Sequence, residues 1–206
     1  MNNETKTTAV NEDENLGGRL PLLKPEQLNP EQKELYKLIS DKQVPWAKKN
    51  NFEISLQDGS LIGPFNFHLR SPAVSKQYLG WANAESAGSK LSPRMREIII
   101  LTVGFSCNAE YEAYAHTAVG KAVGLTDAII NSIKLGQQPE NLEPNEIAIY
   151  QFTHQLVNNR RIDDPTYQTA IKILTEQGVV DIVHLIGAYL ATSAFLNAFQ
   201  VPAPKK

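Results

Sequence analysis

The sequence holds a single cysteine, Cys107. It therefore has no intramolecular disulfide and no resolving thiol for a dithiol cycle, and one free thiol fits a reducing compartment. We expect a cytoplasmic protein. Charge of one sign is equally scarce in excess: the net value is −2, with both signs dispersed. That balance argues against a nucleic-acid or anionic-membrane partner. No apolar run approaches the ~20 residues of a membrane span. The opening MNNETKTTAVNEDENLGG lacks the basic-then-apolar order of a secretory signal. Also missing are a glycine-rich phosphate loop, a dinucleotide fingerprint and a G-x-S-x-G elbow. Cofactor-bound and serine-nucleophile chemistry have no support, so no cofactor is expected. Period-two alternation is rare, and the longest candidate strand, near 52–56, is short and isolated.

What the chain does have is apolar residues, 42% of its length, enough to close a core. It also has a repeated grammar. Asn29-Pro30, Ser71-Pro72, Ser92-Pro93, Glu143-Pro144 and Asp164-Pro165 each set a polar residue before proline at the head of a helical pattern. Leu35, Leu38 and Ile39 form the apolar stripe of the first such helix. Leu125-Thr126-Asp127 opens a short one between Gly124 and Gly136. The last helix, roughly 179–199, is apolar or small on nearly every turn, with Asp181 its one Asp, Glu, Lys or Arg. Such a helix is central in a core or lies at a subunit interface. These features predict an all-α bundle of about seven to nine helices. Residues 1–28 read as a flexible N-terminal extension, with 20–28 an extended lead-in, and residues 29–206 as one domain.

The chain is organised around SPRMREIIILTVGFSCNAEYEAYAH, residues 92–116. Ser92 and Pro93 open a helix whose Ile98–Val103 run is buried on most sides, with Glu97 at its start. After Gly104 a second helix is expected to carry Glu110, Tyr111, Glu112 and His116. Glu112 and His116 are four apart and share a helical face. Small and aromatic flanks, Tyr111, Ala113, Tyr114 and Ala115, predict a half-buried helix, and a buried carboxylate needs a reason. Carboxylates beside an imidazole make a candidate proton-handling site. An i,i+4 Glu–His pair is also common on solvated helices, and that reading stays open.

This stretch resembles the carboxymuconolactone decarboxylase and alkylhydroperoxidase AhpD-like family. Its redox members carry a glutamate, then Cys-x-x-Cys, then a histidine four residues after the second cysteine. Counting back from His116 places the glutamate at Glu97, the first cysteine at Ala109 and the second at Glu112. Both thiol positions are thus occupied by other residues. Glu110-Tyr111-Glu112 followed by His116 resembles the decarboxylase-like branch without the Cys-x-x-Cys. The resemblance runs over residues 60–202, including Gly63-Pro64-Phe65-Asn66, Leu196-Asn197-Ala198-Phe199 and Val201-Pro202. It implies an AhpD-like helical fold, a homo-oligomer (trimer or hexamer) and a small-molecule substrate.

Three functions compete. The first is a cofactor-free lyase-like enzyme that decarboxylates, or moves a proton on, a small organic acid or lactone. In it His116 donates the proton, Glu112 orients it or acts as a second acid, and Glu97 relays. Tyr111, Arg96 and His184 are the candidate substrate-binding residues. Stabilising the developing negative charge would fall to Arg94 and Arg96, the nearby cations. The second function is an AhpD-type peroxidase, for which the thiols are missing. The third is a non-catalytic oligomer that binds a ligand. Cys107 reads as a packing residue, His184 as either a core histidine or a site member, and His68 as a residue that could line a pocket mouth. His154 reads as solvent-facing. No second histidine at i,i+4 supports a metal site, so no metal is expected.

Overall fold

The computed structural model describes residues 16–205. Among them the architecture is all-α, as expected, and the isolated Ser55–Leu61 antiparallel bridge stands where a short strand was considered. Seven α-helices occur: α1 (Pro30–Lys49), α2 (Pro72–Gly88), α3 (Pro93–Ser106), α4 (Glu110–Ala122), α5 (Asp127–Lys134), α6 (Pro144–Asn159) and α7 (Asp164–Phe199). Short 3-10 turns lie at Pro25–Gln27, Gly63–Phe65 and Phe67–Arg70.

The polar–proline pairs do start helices. Asn29 Oδ1 accepts from Gln32 N at 2.9 Å, and Ser92 Oγ accepts from Met95 N at 3.2 Å. At the last pair the cap is shifted by one residue: Asp163, not Asp164, accepts from Thr166 N at 2.8 Å. Proline is tolerated through the whole first turn, because no N–H there has an intrahelical partner. Proline alone therefore does not mark the cap.

Helix α3 is the hub, touching α4, α5, α6 and α7. Its Ile98, Ile99, Ile100, Leu101 and Val103 are all buried in a cluster shared with α5, α6 and α7. A second cluster joins α1, the 52–69 segment, α4 and the end of α7. The break between α3 and α4 falls later than expected. Gly104 remains helical, and the chain turns at Cys107–Ala109, where Asn108 takes φ +53°. Asparagine tolerates this left-handed conformation better than most residues. Gly104 serves packing instead: a Cβ there would lie 3.2 Å from Glu112 Oε1.

The expectation of a flexible extension over 1–28 is corrected for its second half. Leu16, Leu20, Leu22 and Leu23 pack on the second cluster, and Leu28 is buried. Arg19 N donates to Phe199 O at 2.7 Å, while Asn66 exchanges hydrogen bonds of 2.9 and 3.0 Å with the backbone of Leu23. The lead-in thus lies along its own chain, its leucines supplying the apolar area that orders it. Residues 1–15 lie outside the described residues.

Helix α7 consists of two helical segments that meet at a break at Thr175 (φ +66°, ψ 169°), so that the helix expected after Asp164-Pro165 and the last helix expected near 179 both lie within it. An 18-residue window in it reaches a mean hydropathy of 1.7, so by length and composition it could cross a membrane. The apolar run is thus longer than the sequence suggested. Val179, Ile182, Leu185 and Ile186 lie in the first core cluster and Leu196 in the second, as suits a core helix. Its other side is open, with Val180 54% and Val183 45% exposed.

Gly63, at φ +63°, stands where a Cβ would come within 2.2 Å of the Tyr111 ring. We expect Gly63→Ala to destabilise the protein by ~2–4 kcal/mol, through backbone strain plus overpacking against α4. Urea denaturation of the two proteins measures this directly, and a loss below ~0.5 kcal/mol would contradict the packing described.

Candidate functional site

Glu97 comes from α3, and Glu112 and His116 come from α4 one turn apart. All three are buried, at 6%, 3% and 7% exposure. They line one cavity of about 760 Å³ between the two core clusters. The geometric convergence anticipated from the sequence is therefore present.

The pairing within it differs from the expectation. His116 Nδ1 meets Glu97 Oε2 at 2.8 Å, so the residue that orients the ring is Glu97 rather than Glu112. Glu112 turns toward α7, where its Oε2 accepts from Ser193 Oγ at 3.2 Å. Its Oε1 is buried without a hydrogen-bond partner. Burial pushes the Glu112 carboxyl well above the usual range; the charge of Glu97 adds to this and the Ser193 hydroxyl opposes it. The two neighbouring carboxyls thus sit in different settings, Glu97 against an imidazole and Glu112 in a desolvated pocket that favours its protonated form, the kind of separation that acid–base sites use.

Aromatic rings enclose the imidazole. Tyr189 packs edge-on to His116 at 5.0 Å between centroids, and Trp46 lies 6.3 Å away. Burial, reinforced by Glu97 and Glu112, holds the Tyr189 hydroxyl protonated far into alkali. Tyr78 donates to Ala188 O at 2.8 Å and lies 2.6 Å from Thr192 Oγ1. His68 lines the cavity and is buried; its Nδ1 is 3.1 Å from Ser75 Oγ. Desolvation lowers its pKa to about 4, so the ring is neutral. Trp46, Tyr78, Tyr189 and Ser193 escaped sequence reasoning. Tyr189 offered a signal, since a hydroxyl inside an otherwise apolar helix needs a partner.

The candidate binding residues fare unequally. Tyr111 lines the cavity with its ring, but its hydroxyl donates to Glu53 O, which makes it a pin between α4 and the 52–56 segment. Arg96 also lines the cavity, yet its guanidinium is held bidentate by Glu85 at 2.6 and 2.7 Å. Arg94 points elsewhere, to Glu146 at 2.6 Å. His184 is exposed, accepts from Trp81 Nε1 at 3.2 Å and does not line the cavity. It stands one turn before Ala188, which does line the cavity, but its ring is engaged with Trp81 instead. Cys107 ends α3 and lies outside this cavity, on a second, open one of about 420 Å³. Burial, with Glu112 nearby, raises its pKa, so it is a thiol and not a thiolate. His154, expected in solvent, is half-buried against Tyr150. No group of three or more His, Cys, Asp or Glu among the described residues could hold a metal ion.

A single hub helix, a second helix crossing it at a tight turn, and an imidazole–carboxylate pair between them define an AhpD-like helical protein. An uncharacterized peroxidase-related protein from Ralstonia eutropha JMP134, described as an alkylhydroperoxidase AhpD core, superposes with a TM-score of 0.71 at 12% identity. The match covers 91% of this chain and 93% of that one. A peroxidase-related protein from Silicibacter sp. TM1040 gives 0.68 at 14% identity, covering 96% and 95%. The debrominase Bmp8, as a cysteine-to-alanine variant with 2,3,4-tribromopyrrole, gives 0.67 at 10%, covering 89% and 90%. At these identities the likeness establishes the fold. By sequence, residues 72–154 match the Carboxymuconolactone decarboxylase family. No curated protein matches it.

The raised pKa of Glu112 has a thermodynamic consequence. The unfolded chain ionises this residue near the ordinary 4.5, whereas the folded one holds the proton to higher pH. Its contribution is thus fully present below pH 4.5 and is lost as pH rises. We expect Glu112→Gln to be more stable than wild type at pH 7, with the difference vanishing near pH 4. The slope approaches ~1.4 kcal/mol per pH unit for one proton. Thermal unfolding of both proteins across that range tests it; a Glu112→Gln protein less stable at pH 7 than at pH 4, relative to wild type, would contradict a neutral Glu112.

Proposed function

We propose that this protein is a proton-transfer enzyme for a small organic molecule, with His116 as the group that takes and returns the proton. The supporting observation is the 2.8 Å contact of His116 Nδ1 with Glu97, both buried. With Nδ1–H donated to the carboxylate, Nε2 carries the lone pair. That nitrogen takes a proton from a carbon beside a carbonyl: the C–H bond breaks and its electron pair moves to the carbonyl oxygen as an enolate. The imidazolium, balanced by Glu97, returns the proton to carbon, and neutral Glu112 donates a hydrogen bond to the enolate oxygen. Loss of carbon dioxide from an acid with a suitably placed carbonyl produces the same enolate, and the same imidazolium would protonate it. The decarboxylase-like reading therefore uses identical residues. A thiol-peroxidase reading is disfavoured, because Ala109 and Glu112 stand where the thiols would be and Cys107 is outside the cavity.

The test needs no known substrate. Deuterium wash-in at carbon, followed by NMR in D₂O over a panel of cyclic ketones and lactones, reads the proposed step itself. His116→Ala should lower the exchange rate ~10²–10⁴-fold, the usual contribution of a positioned base, and Cys107→Ser should leave it nearly intact. Exchange that survives in His116→Ala and disappears in Cys107→Ser would transfer the chemistry to the thiol.

We further propose a homo-oligomer assembled through the open side of α7, where Val180, Val183 and Phe195 are exposed. Apolar area of this kind on a core helix is what a second copy would cover. Sedimentation at micromolar concentration should give a multiple of the 22.9 kDa chain mass, and a monomer mass would remove the proposal.

A further inference from the structure

We infer that the inner cavity receives an uncharged, flat ring bearing a carbonyl group rather than an organic anion. The inference rests on reading this cavity as the substrate site and, of the two reactions proposed there, favours proton transfer on a neutral carbonyl compound over decarboxylation of an acid.

The argument is a charge inventory of every element facing the cavity. From α3 come Arg96 and Glu97, from α2 Glu85, from α4 Glu112 and His116, and from α1 Lys42 and Lys49. The half-buried cation Arg96 is neutralised by its two contacts with Glu85. Glu97 contributes a negative charge that His116 either leaves standing or cancels, according to whether the ring holds its second proton. Glu112 adds nothing while protonated, and would add a further negative charge if it ionised. With Glu85 and Glu97 ionised and His68 neutral, these inner groups carry no net positive charge whether or not His116 holds its second proton. A substrate carboxylate pressed beside Glu97 would be desolvated without a counter-ion, which is strongly unfavourable. Lys42 and Lys49 are exposed at the rim, where water screens them from the interior.

The walls favour a ring. His116 is bounded by Tyr189 edge-on and by the tilted Trp46, with Phe52 against Trp46 at 5.1 Å. The other polar groups on the walls are uncharged hydrogen-bonding ones, among them the Asn50, Asn83 and Thr192 side chains and the His68 ring. Such groups recognise a carbonyl or hydroxyl on a flat apolar body.

The probes are 2-naphthamide and 2-naphthoate, nearly the same flat shape with and without charge. Trp81→Phe protein leaves Trp46, on the cavity wall, as its one tryptophan, so quenching of its fluorescence reports binding there. At pH 7 we expect 2-naphthamide to bind at least tenfold more tightly than 2-naphthoate. Glu85→Gln, which frees the Arg96 charge, should narrow or reverse that ratio, with circular dichroism confirming that the variant folds. Removing the rim charges in a Lys42→Ala, Lys49→Ala variant should leave the preference for the amide in place. Equal or tighter binding of 2-naphthoate by the protein with Glu85 intact overturns the inference. So does the absence of binding by either probe at millimolar concentration. Because no turnover is measured, failure of proton exchange in the His116 experiment and failure of this preference are separate results.

Discussion

The contact between Glu97 and His116 ties together the two halves of this molecule. Glu97 belongs to the helix that centres one apolar cluster, and His116 to the helix that borders the other. Neither group could be buried alone at acceptable cost, since a carboxylate or imidazole withdrawn from water needs a partner. Holding both at 2.8 Å fixes how α4 lies across α3. Asn108 accepts a left-handed backbone at the turn, and Gly104 lets Glu112 approach the hub helix. The packing of the core and the geometry of the site are therefore a single constraint.

Three carboxyls around the cavity are treated in three ways. Glu85 is locked to Arg96, Glu97 to His116, and Glu112 has only a serine hydroxyl and one unpartnered oxygen. The first arrangement removes a cation from the site, the second prepares an imidazole with one free nitrogen, and the third leaves a proton in an apolar setting. An unsatisfied buried oxygen is expensive in a purely structural role.

Helix α7 serves both sides of the architecture. Tyr189, Thr192 and Leu196 close the cavity, and Ser193 holds Glu112. The opposite side, around Val180 and Val183, is not covered by the described residues. Cavity wall and uncovered apolar surface are consequently two faces of one helical segment, the part of α7 after the break at Thr175.

The helical class, the helix starts and the identity of Glu97, Glu112 and His116 were legible in the sequence because they rest on local rules. Caps and prolines act within one turn, apolar periodicity acts along one helix, and the Glu–His spacing follows from 3.6 residues per turn. Only the tertiary structure decided which carboxylate meets the imidazole. Glu112 shares a helical face with His116, but the partner is Glu97 from another helix. The same holds for Arg96, whose availability depends on Glu85 of α2, and for His184, whose ring meets Trp81 of α2 outside the cavity. Cys107, read as a packing residue, caps the end of α3 and lies outside the cavity. Local sequence determines which face of a helix a side chain occupies. What that face meets, and so which charges are cancelled and which remain for chemistry, depends on contacts between residues far apart in the chain.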